Sequence, residues 1–121
     1  MRNSQKHAPR GPVLITVNRA FTLPDGSPYV VSFVELWESG VVVRMVGLAE
    51  GFVRRVLQLE FELLDDQGAR YPFRAATSGG MVLPEEVTIA FEGAPKLANC
   101  SHVDVLVAED RLRLLMSAVA A

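Results

Sequence analysis

The chain has 121 residues, of which 50% are hydrophobic and 21% charged, and its formal net charge is -2. This balance is typical of a globular protein and excludes a disordered chain, and the length suits one domain. The acidic balance argues against a nucleic-acid-binding protein, which needs a basic surface to displace counterions. The most apolar stretch, residues 40–46, is interrupted by Arg44 and too short to span a bilayer, so no membrane partner is expected.

Residues 1–12 differ from the rest of the chain in charge and pattern. They contain Arg2, Lys6 and Arg10 and no acidic residue, and they lack hydrophobic periodicity. We therefore predict a flexible basic tail over residues 1–12 and one β-sandwich domain over residues 13–121. Cys100 is the one cysteine, which excludes an internal disulfide. No apolar leader is visible, and together these features predict a cytoplasmic protein.

Short apolar runs alternate with turn signals along residues 13–121, at the spacing typical of a sandwich or barrel. A break with two prolines and a glycine spans residues 23–28, and the dipeptide Ser39-Gly40 makes a tight connection. The predicted strands, in chain order, are residues 13–21, 29–37, 41–46, 57–64, 70–77, 87–91, 103–107 and 112–116.

Two of these segments allow a second interpretation. In residues 57–64 the apolar side chains alternate with Gln58, Glu60 and Glu62, which predicts a strand with one dry face. An apolar stripe from Phe52 to Leu64 also fits a helix, although Glu60 would then face the core. The Ala-rich C-terminal end likewise favours a helix by propensity.

A hairpin is predicted at Asp65-Asp66-Gln67-Gly68, where aspartate and glycine suit a turn with a left-handed residue. In its return strand, residues 70–77, we expect Tyr71, Phe73 and Ala75 to point inward and Arg70 and Arg74 outward. About eight antiparallel strands without helical crossovers then indicate an all-β sandwich.

The segment from Leu64 to Tyr71 resembles the D-x-x-G-x-x-Y turn of immunoglobulin-like domains in bacterial cell-envelope proteins. With the segments 34–37 and 91–95, the chain is also similar to small uncharacterised actinobacterial proteins. The resemblance covers about residues 13–110 as a spacing pattern. It implies an immunoglobulin-like sandwich of about 7–9 strands and no particular activity. The envelope members usually carry a signal peptide or a lipid-anchored cysteine, and this chain shows neither.

Catalytic and metal chemistry find little support in the sequence. Ser101, His102 and Asp104 have the residue types of a hydrolase triad, but no G-x-S-x-G elbow exposes a nucleophile. Cys100 and His102, even with His7, fall short of the four ligands of a structural zinc site. We therefore expect no cofactor, no metal and a buried Cys100.

Three carboxylate pairs occur, but solvated turn acids explain two of them better than the paired acids of a glycosidase. Those two pairs are Asp65/Asp66 and Glu85/Glu86, and the third is Glu35/Glu38.

The loop Thr77-Ser78-Gly79-Gly80 could form a backbone nest for an anion, since glycine adopts left-handed angles freely. A phosphate-binding loop normally opens a helix and carries a lysine, and neither follows here. A plain connection is the favoured interpretation, with Ser78, Gly79 and Gly80 kept as candidate binding residues.

Arginine and aromatic residues supply the other candidate binding site, because both types are enriched at interface hot spots. The predicted set is Trp37, Arg44, Arg54, Arg55, Arg70, Tyr71 and Arg74. The competing interpretation makes these arginines cross-strand partners of acidic residues such as Glu60 and Glu62.

Several sheet positions expected to face water are apolar as well: Val30, Val42, Val46, Leu64, Leu106 and Leu115. Two-sided apolarity in a small sandwich predicts a patch that a partner covers, most simply in a homodimer. The sequence therefore predicts a non-enzymatic interaction module that self-associates or binds a protein. The alternatives are a carrier with an apolar cavity, or a small hydrolase that uses His102.

Overall fold

The structure is a computed structural model that describes residues 12–79, 84–93, 95–96 and 100–116. This part of the chain is all-β, with eight antiparallel strands and one short helix. The elements are β1 (Val13–Thr22), β2 (Pro28–Trp37), β3 (Gly40–Gly47), α1 (Phe52–Val56), β4 (Phe61–Asp65), β5 (Arg70–Ser78), β6 (Glu85–Glu92), β7 (His102–Val107) and β8 (Asp110–Leu115).

The eight strands form one sheet in the order β1-β2-β3-β6-β5-β4-β7-β8. The sheet curls until its two outer strands approach each other, so that it nearly closes. Arg19 of β1 spans the remaining gap, because its Nη1 donates a hydrogen bond of 3.0 Å to the backbone oxygen of Arg113 in β8.

Alternating apolar residues place one side of every strand in a shared core. In β3, Val41, Val43 and Met45 are fully buried, while Arg44 between them points outward, as the sequence predicts. The same alternation fills the core from β6 and β7. The largest fully buried side chains are Tyr29, Phe52, Phe91, Ile15, Met45, Leu63, Ile89, Leu114, Val31, Val34, Val41 and Val43.

The prediction of one strand over residues 57–64 is wrong in its first half. Phe52–Val56 forms α1, and the strand begins only at Phe61, so each of the two interpretations holds for part of the segment. Leu57 is 49% exposed instead of lying in a strand. The helix covers one end of the core, and Gly47 permits its close approach, since a Cβ there would lie 2.2 Å from the Phe52 ring.

The predicted hairpin is present, but the inward side of its return strand is wrong beyond Tyr71. Gly68 adopts the left-handed φ of +83° that the turn requires. A bulge between Phe73 and Ala75 then shifts the register, so that Phe73 is 45% exposed and Ala76 packs against the core in place of Ala75. A bulge of this kind changes which residues face inward.

The last apolar run forms a strand up to Leu115, with Leu112 and Leu114 buried, so the helical alternative is wrong for that part. Residues 117–121 and the basic segment 1–11 lie outside the described residues. Among the described residues, no helix has the length and apolar character needed to cross a membrane.

Candidate functional site

The outer side of β1, β2, β3, β6 and the second half of β5 carries an unusually apolar surface for a sheet side that faces water. Ladder pairing aligns these outward positions across the strands: Glu35 lies beside Val42 and then Ala90, and Phe33 lies beside Arg44 and then Thr88. We define the apolar face as Leu14, Val30, Phe33, Trp37, Val42, Val46 and Ala90, none of which is buried. Leu14 and Trp37 are the most exposed of them, at 54% and 42%.

The charged groups on the apolar face are paired within it. Arg44 forms an ion pair with Glu86, and its guanidinium lies over the Phe33 ring, 5.6 Å from the ring centroid. The Trp37 Nε1 donates a hydrogen bond of 2.9 Å to Glu35 Oε1. A partner that covers this face would therefore meet charges that already have hydrogen-bonding or ionic partners.

The outer side of β4, β7, β8 and the first half of β5 has the opposite character. We define the charged face as Glu62, Leu64, Arg70, Asp104, Leu106, Arg111 and Arg113. Arg70 pairs with Glu62 across the hairpin. Asp104 is 3% exposed because two arginines of β8 cover it: Arg113 Nε donates to Oδ1 at 2.9 Å and Arg111 Nη1 to Oδ2 at 3.2 Å.

Two carboxylates are buried, and each is held in its ionised form. Hydrogen bonds from Arg113, together with the nearby positive charges, lower the pKa of Asp104 below its usual value, although burial acts in the opposite direction. Glu85 is 2% exposed and accepts the backbone N–H groups of Val53 at 2.9 Å and Gly51 at 2.8 Å, which lower its pKa. The expectation of a solvated Glu85 is therefore wrong: this side chain caps α1.

The structure does not bring the predicted arginines onto one surface. Arg44 lies on the apolar face and Arg70 on the charged face. Arg54 and Arg55 belong to α1, where Arg55 contacts Asp25 at 3.3 Å, and Arg74 lies exposed in the bulge of β5.

The aromatic partners proposed for those arginines are separated too. Trp37 stands at the end of β2 on the apolar face. Tyr71 stands at the hairpin, where its hydroxyl donates a hydrogen bond of 2.8 Å to Asp65 Oδ2. Burial, together with this hydrogen bond, raises the pKa of Tyr71 to about 12.

The glycine-bearing loop offers no free nest in its described part. Thr77 and Ser78 are the last residues of β5, and the Gly79 N–H donates to the Glu86 carbonyl at 3.0 Å. Gly79 is absent from the glycines with positive φ, and Gly80 lies outside the described residues.

Ser101, His102 and a carboxylate do meet, but in the wrong order for a catalytic triad. Ser101 Oγ lies 3.0 Å from His102 Nδ1 and donates to Asp66 Oδ2 at 3.1 Å, so the serine stands between the acid and the histidine. In a triad the histidine stands between them and accepts the serine proton. Here the acid already accepts that proton, and the imidazole is left to donate.

The nearby carboxylates and Cys100 serve the turn structure. Asp65 accepts the N–H groups of Gln67 and Ala69, each at 2.9 Å, and Asp66 accepts that of Ser101. Cys100 is 8% exposed, and burial raises the pKa of its thiol. No cluster of three metal-ligating side chains occurs in the described ranges.

Two open grooves occur on the described surface. One, of about 340 Å³, lies beside the start of α1 and includes Arg54 and the capping Glu85. The other, of about 550 Å³, lies where β4 and β5 separate, with Phe61, Phe73 and Leu106 among its walls. The sequence did not predict the second groove, because this groove forms where the pairing of β5 with β4 ends. The alternation of Glu60 and Glu62 around Phe61 was its one local signal.

Comparisons of the chain with protein families, with curated proteins and with solved structures find no match.

Proposed function

We propose that this protein is a non-enzymatic interaction module with an immunoglobulin-like sandwich fold, and that it self-associates through its apolar face. The strand order supports the fold assignment. The order β3-β6-β5 followed by β4-β7-β8 corresponds to strands B-E-D and C-F-G of an immunoglobulin domain, with β2 in the position of strand A.

The apolar face is the main observation that supports self-association. Val42 and Val46 are partly exposed on β3, where Val46 lies beside Val30 of β2 and Arg44 lies beside Phe33. Removing such side chains from water stabilises an interface by about 25 cal/mol per Å² of apolar area. Because Arg44 and Glu35 already have partners within the face, covering it leaves neither of these two groups without one.

A second copy of the chain is the partner that best suits this face. Its charges, Arg44 with Glu35 and Glu86, leave one net negative charge on each copy, so two copies can approach without strong repulsion. A two-fold contact also uses the same patch twice and closes the assembly at a dimer.

The carrier and the hydrolase have less support. A carrier needs an apolar space of about 300 Å³ or more inside the sheet. The inward side chains, such as Val43, Leu63 and Val105, are instead fully buried against each other. For the hydrolase, the Ser101 hydroxyl donates to Asp66, so His102 does not accept its proton as the base of a triad does. The buried thiol of Cys100 suits a reducing compartment, which agrees with a cytoplasmic location.

Light scattering coupled to size-exclusion chromatography tests self-association. We expect the mass of the wild-type chain to rise toward that of a dimer across micromolar concentrations. Val42→Glu places an unpaired charge in the face and should keep the chain monomeric. Leu57→Glu changes an equally apolar, exposed residue outside the face and should behave as the wild type. A wild-type chain that stays monomeric throughout contradicts the proposal.

A further inference from the structure

The groove of about 550 Å³ between β4 and β5 combines an apolar floor with an acidic rim, and the apolar face does not include it. Phe73 is 45% exposed and stacks on Phe61, with 6.4 Å between the ring centroids. Three glutamates join these rings and Leu106 in lining the groove: Glu60, Glu62 and Glu109.

The rim carries uncompensated negative charge. Glu62 is paired with Arg70. No ion pair reaches Glu60 or Glu109 from a basic side chain of the described residues. Two acids beside an apolar floor attract a ligand that is both cationic and partly apolar.

The strand beside the groove is open on one edge. β4 pairs with β5 only at residues 70–72, whereas β5 continues to Ser78 with β6 on its other side. From Phe73 onward, no described strand pairs with the edge of β5 that faced β4. The side chains of Arg74, Ala75 and Thr77 in this segment are exposed. An edge of this kind accepts an added strand through main-chain hydrogen bonds.

We propose that this edge and groove bind an extended, lysine- or arginine-bearing segment of a partner protein as an added strand. Its main chain pairs with β5 beyond Phe73. An apolar side chain of the segment packs on Phe73, and the basic side chains beside it reach Glu60 and Glu109. Alternation along the added strand presents every second side chain to the groove, so the recognised pattern places basic and apolar residues at alternate groove-facing positions, as in basic-x-apolar-x-basic.

Fluorescence anisotropy with the labelled octapeptide Lys-Thr-Val-Thr-Lys-Thr-Val-Thr, which presents lysine and valine on the same side of a strand, tests the proposal on the full chain. We expect saturable binding that the double variant Glu60→Gln/Glu109→Gln weakens about tenfold. The double variant Glu38→Gln/Glu50→Gln removes two exposed acids outside this groove and should bind as the wild type. The same octapeptide with glutamate in place of lysine should not bind.

Backbone N-methylation separates strand addition from simple charge attraction. The same lysine-bearing peptide methylated at every backbone amide keeps its charge but loses its N–H donors, and we expect it to bind at least about tenfold more weakly. Equal binding of the methylated peptide, or an equal loss in both glutamine double variants, overturns the proposal. The basic segment at the start of the chain is the competing occupant. If Arg2→Gln/Lys6→Gln/Arg10→Gln tightens peptide binding about tenfold, that segment fills the groove, and assignment to a partner is wrong.

Discussion

The two outer faces of this sheet differ in the side chains that they present to water. On the charged face, Glu62, Asp104 and three arginines form ion pairs across neighbouring strands, and Asp104 is almost fully covered by them. On the apolar face, Val42, Val46 and Phe33 fill the corresponding outward positions and remain partly exposed.

The charged face should therefore contribute mainly to the stability of the monomer, and the apolar face mainly to interaction with a partner. Charges that are buried or hydrogen-bonded on one face contribute to folding, so their loss should destabilise the monomer. Exposed apolar side chains on the other face contribute little to the fold and leave surface for a partner. The following predictions test this separation, in order of decreasing effect on the free energy of unfolding.

Acid should destabilise the protein most. Asp104 and Glu85 have folded-state pKa values below their ordinary values of 3.8 and 4.5. A lowered pKa stabilises the fold above the unfolded-state value, and this contribution is lost as the pH falls through the folded-state value. Urea unfolding should show constant stability at neutral pH and a steep loss below about pH 4.5. A flat profile down to pH 3 would contradict the ionised state of both groups.

Asp104→Asn should lower the free energy of unfolding by about 2 kcal/mol, because the hydrogen bonds from Arg111 and Arg113 lose their charge. Urea denaturation measures this loss, and light scattering should show unchanged self-association. Glu92→Gln, at an exposed carboxylate, is the control and should unfold as the wild type. If Asp104→Asn abolished self-association without loss of stability, it would be wrong to assign stability to the charged face and self-association to the apolar face.

The two tyrosines, Tyr29 of β2 and Tyr71 of β5, should respond differently to removal of the hydroxyl. Tyr71→Phe loses the hydrogen bond to Asp65 and should cost about 1 kcal/mol. The Tyr29 hydroxyl is buried with no hydrogen-bond partner among the described residues, so Tyr29→Phe should leave the stability unchanged or raise it. Thermal unfolding of both variants checks the contrast, which equal losses would refute.

Arg44→Gln should change the stability by less than about 0.5 kcal/mol, because its pair with Glu86 is partly exposed. It should nevertheless weaken self-association, since Arg44 lies over Phe33 within the apolar face. Arg54→Gln, on α1, serves as the matched control. Sedimentation equilibrium measures the dimer affinity of both variants. An Arg44→Gln dimer as tight as that of the wild type would show that the dimer contact lies outside the apolar face.

The alternation of apolar and polar residues along the chain was enough to predict most strands. It also predicted the apolar residues on the outer side of the sheet. In residues 41–46 and 87–91 every second side chain points inward, and Val41 and Ile89 are buried as this pattern predicts. Leu57 and Phe73 were misplaced because a short helix and a bulge both break the two-residue period, and neither leaves a distinct local signal.

The buried state of Glu85 could not be predicted from its neighbours. Its hydrogen-bond donors are the amides of Gly51 and Val53, more than thirty residues away in the sequence. The groove depends in the same way on distant pairing, because β5 changes partners between β4 and β6. The apolar face was foreseeable in composition through Val30, Val42 and Val46, although its extent required the strand order.

Trp37 offers the most direct test, because it is the one tryptophan of the chain and lies on the apolar face. Acrylamide quenching of its fluorescence should be followed as the protein concentration rises through the range in which mass increases. We expect quenching to fall in step with the mass, and to stay high at every concentration for Val42→Glu. A dimer whose Trp37 is quenched as efficiently as in the monomer would contradict self-association through the apolar face.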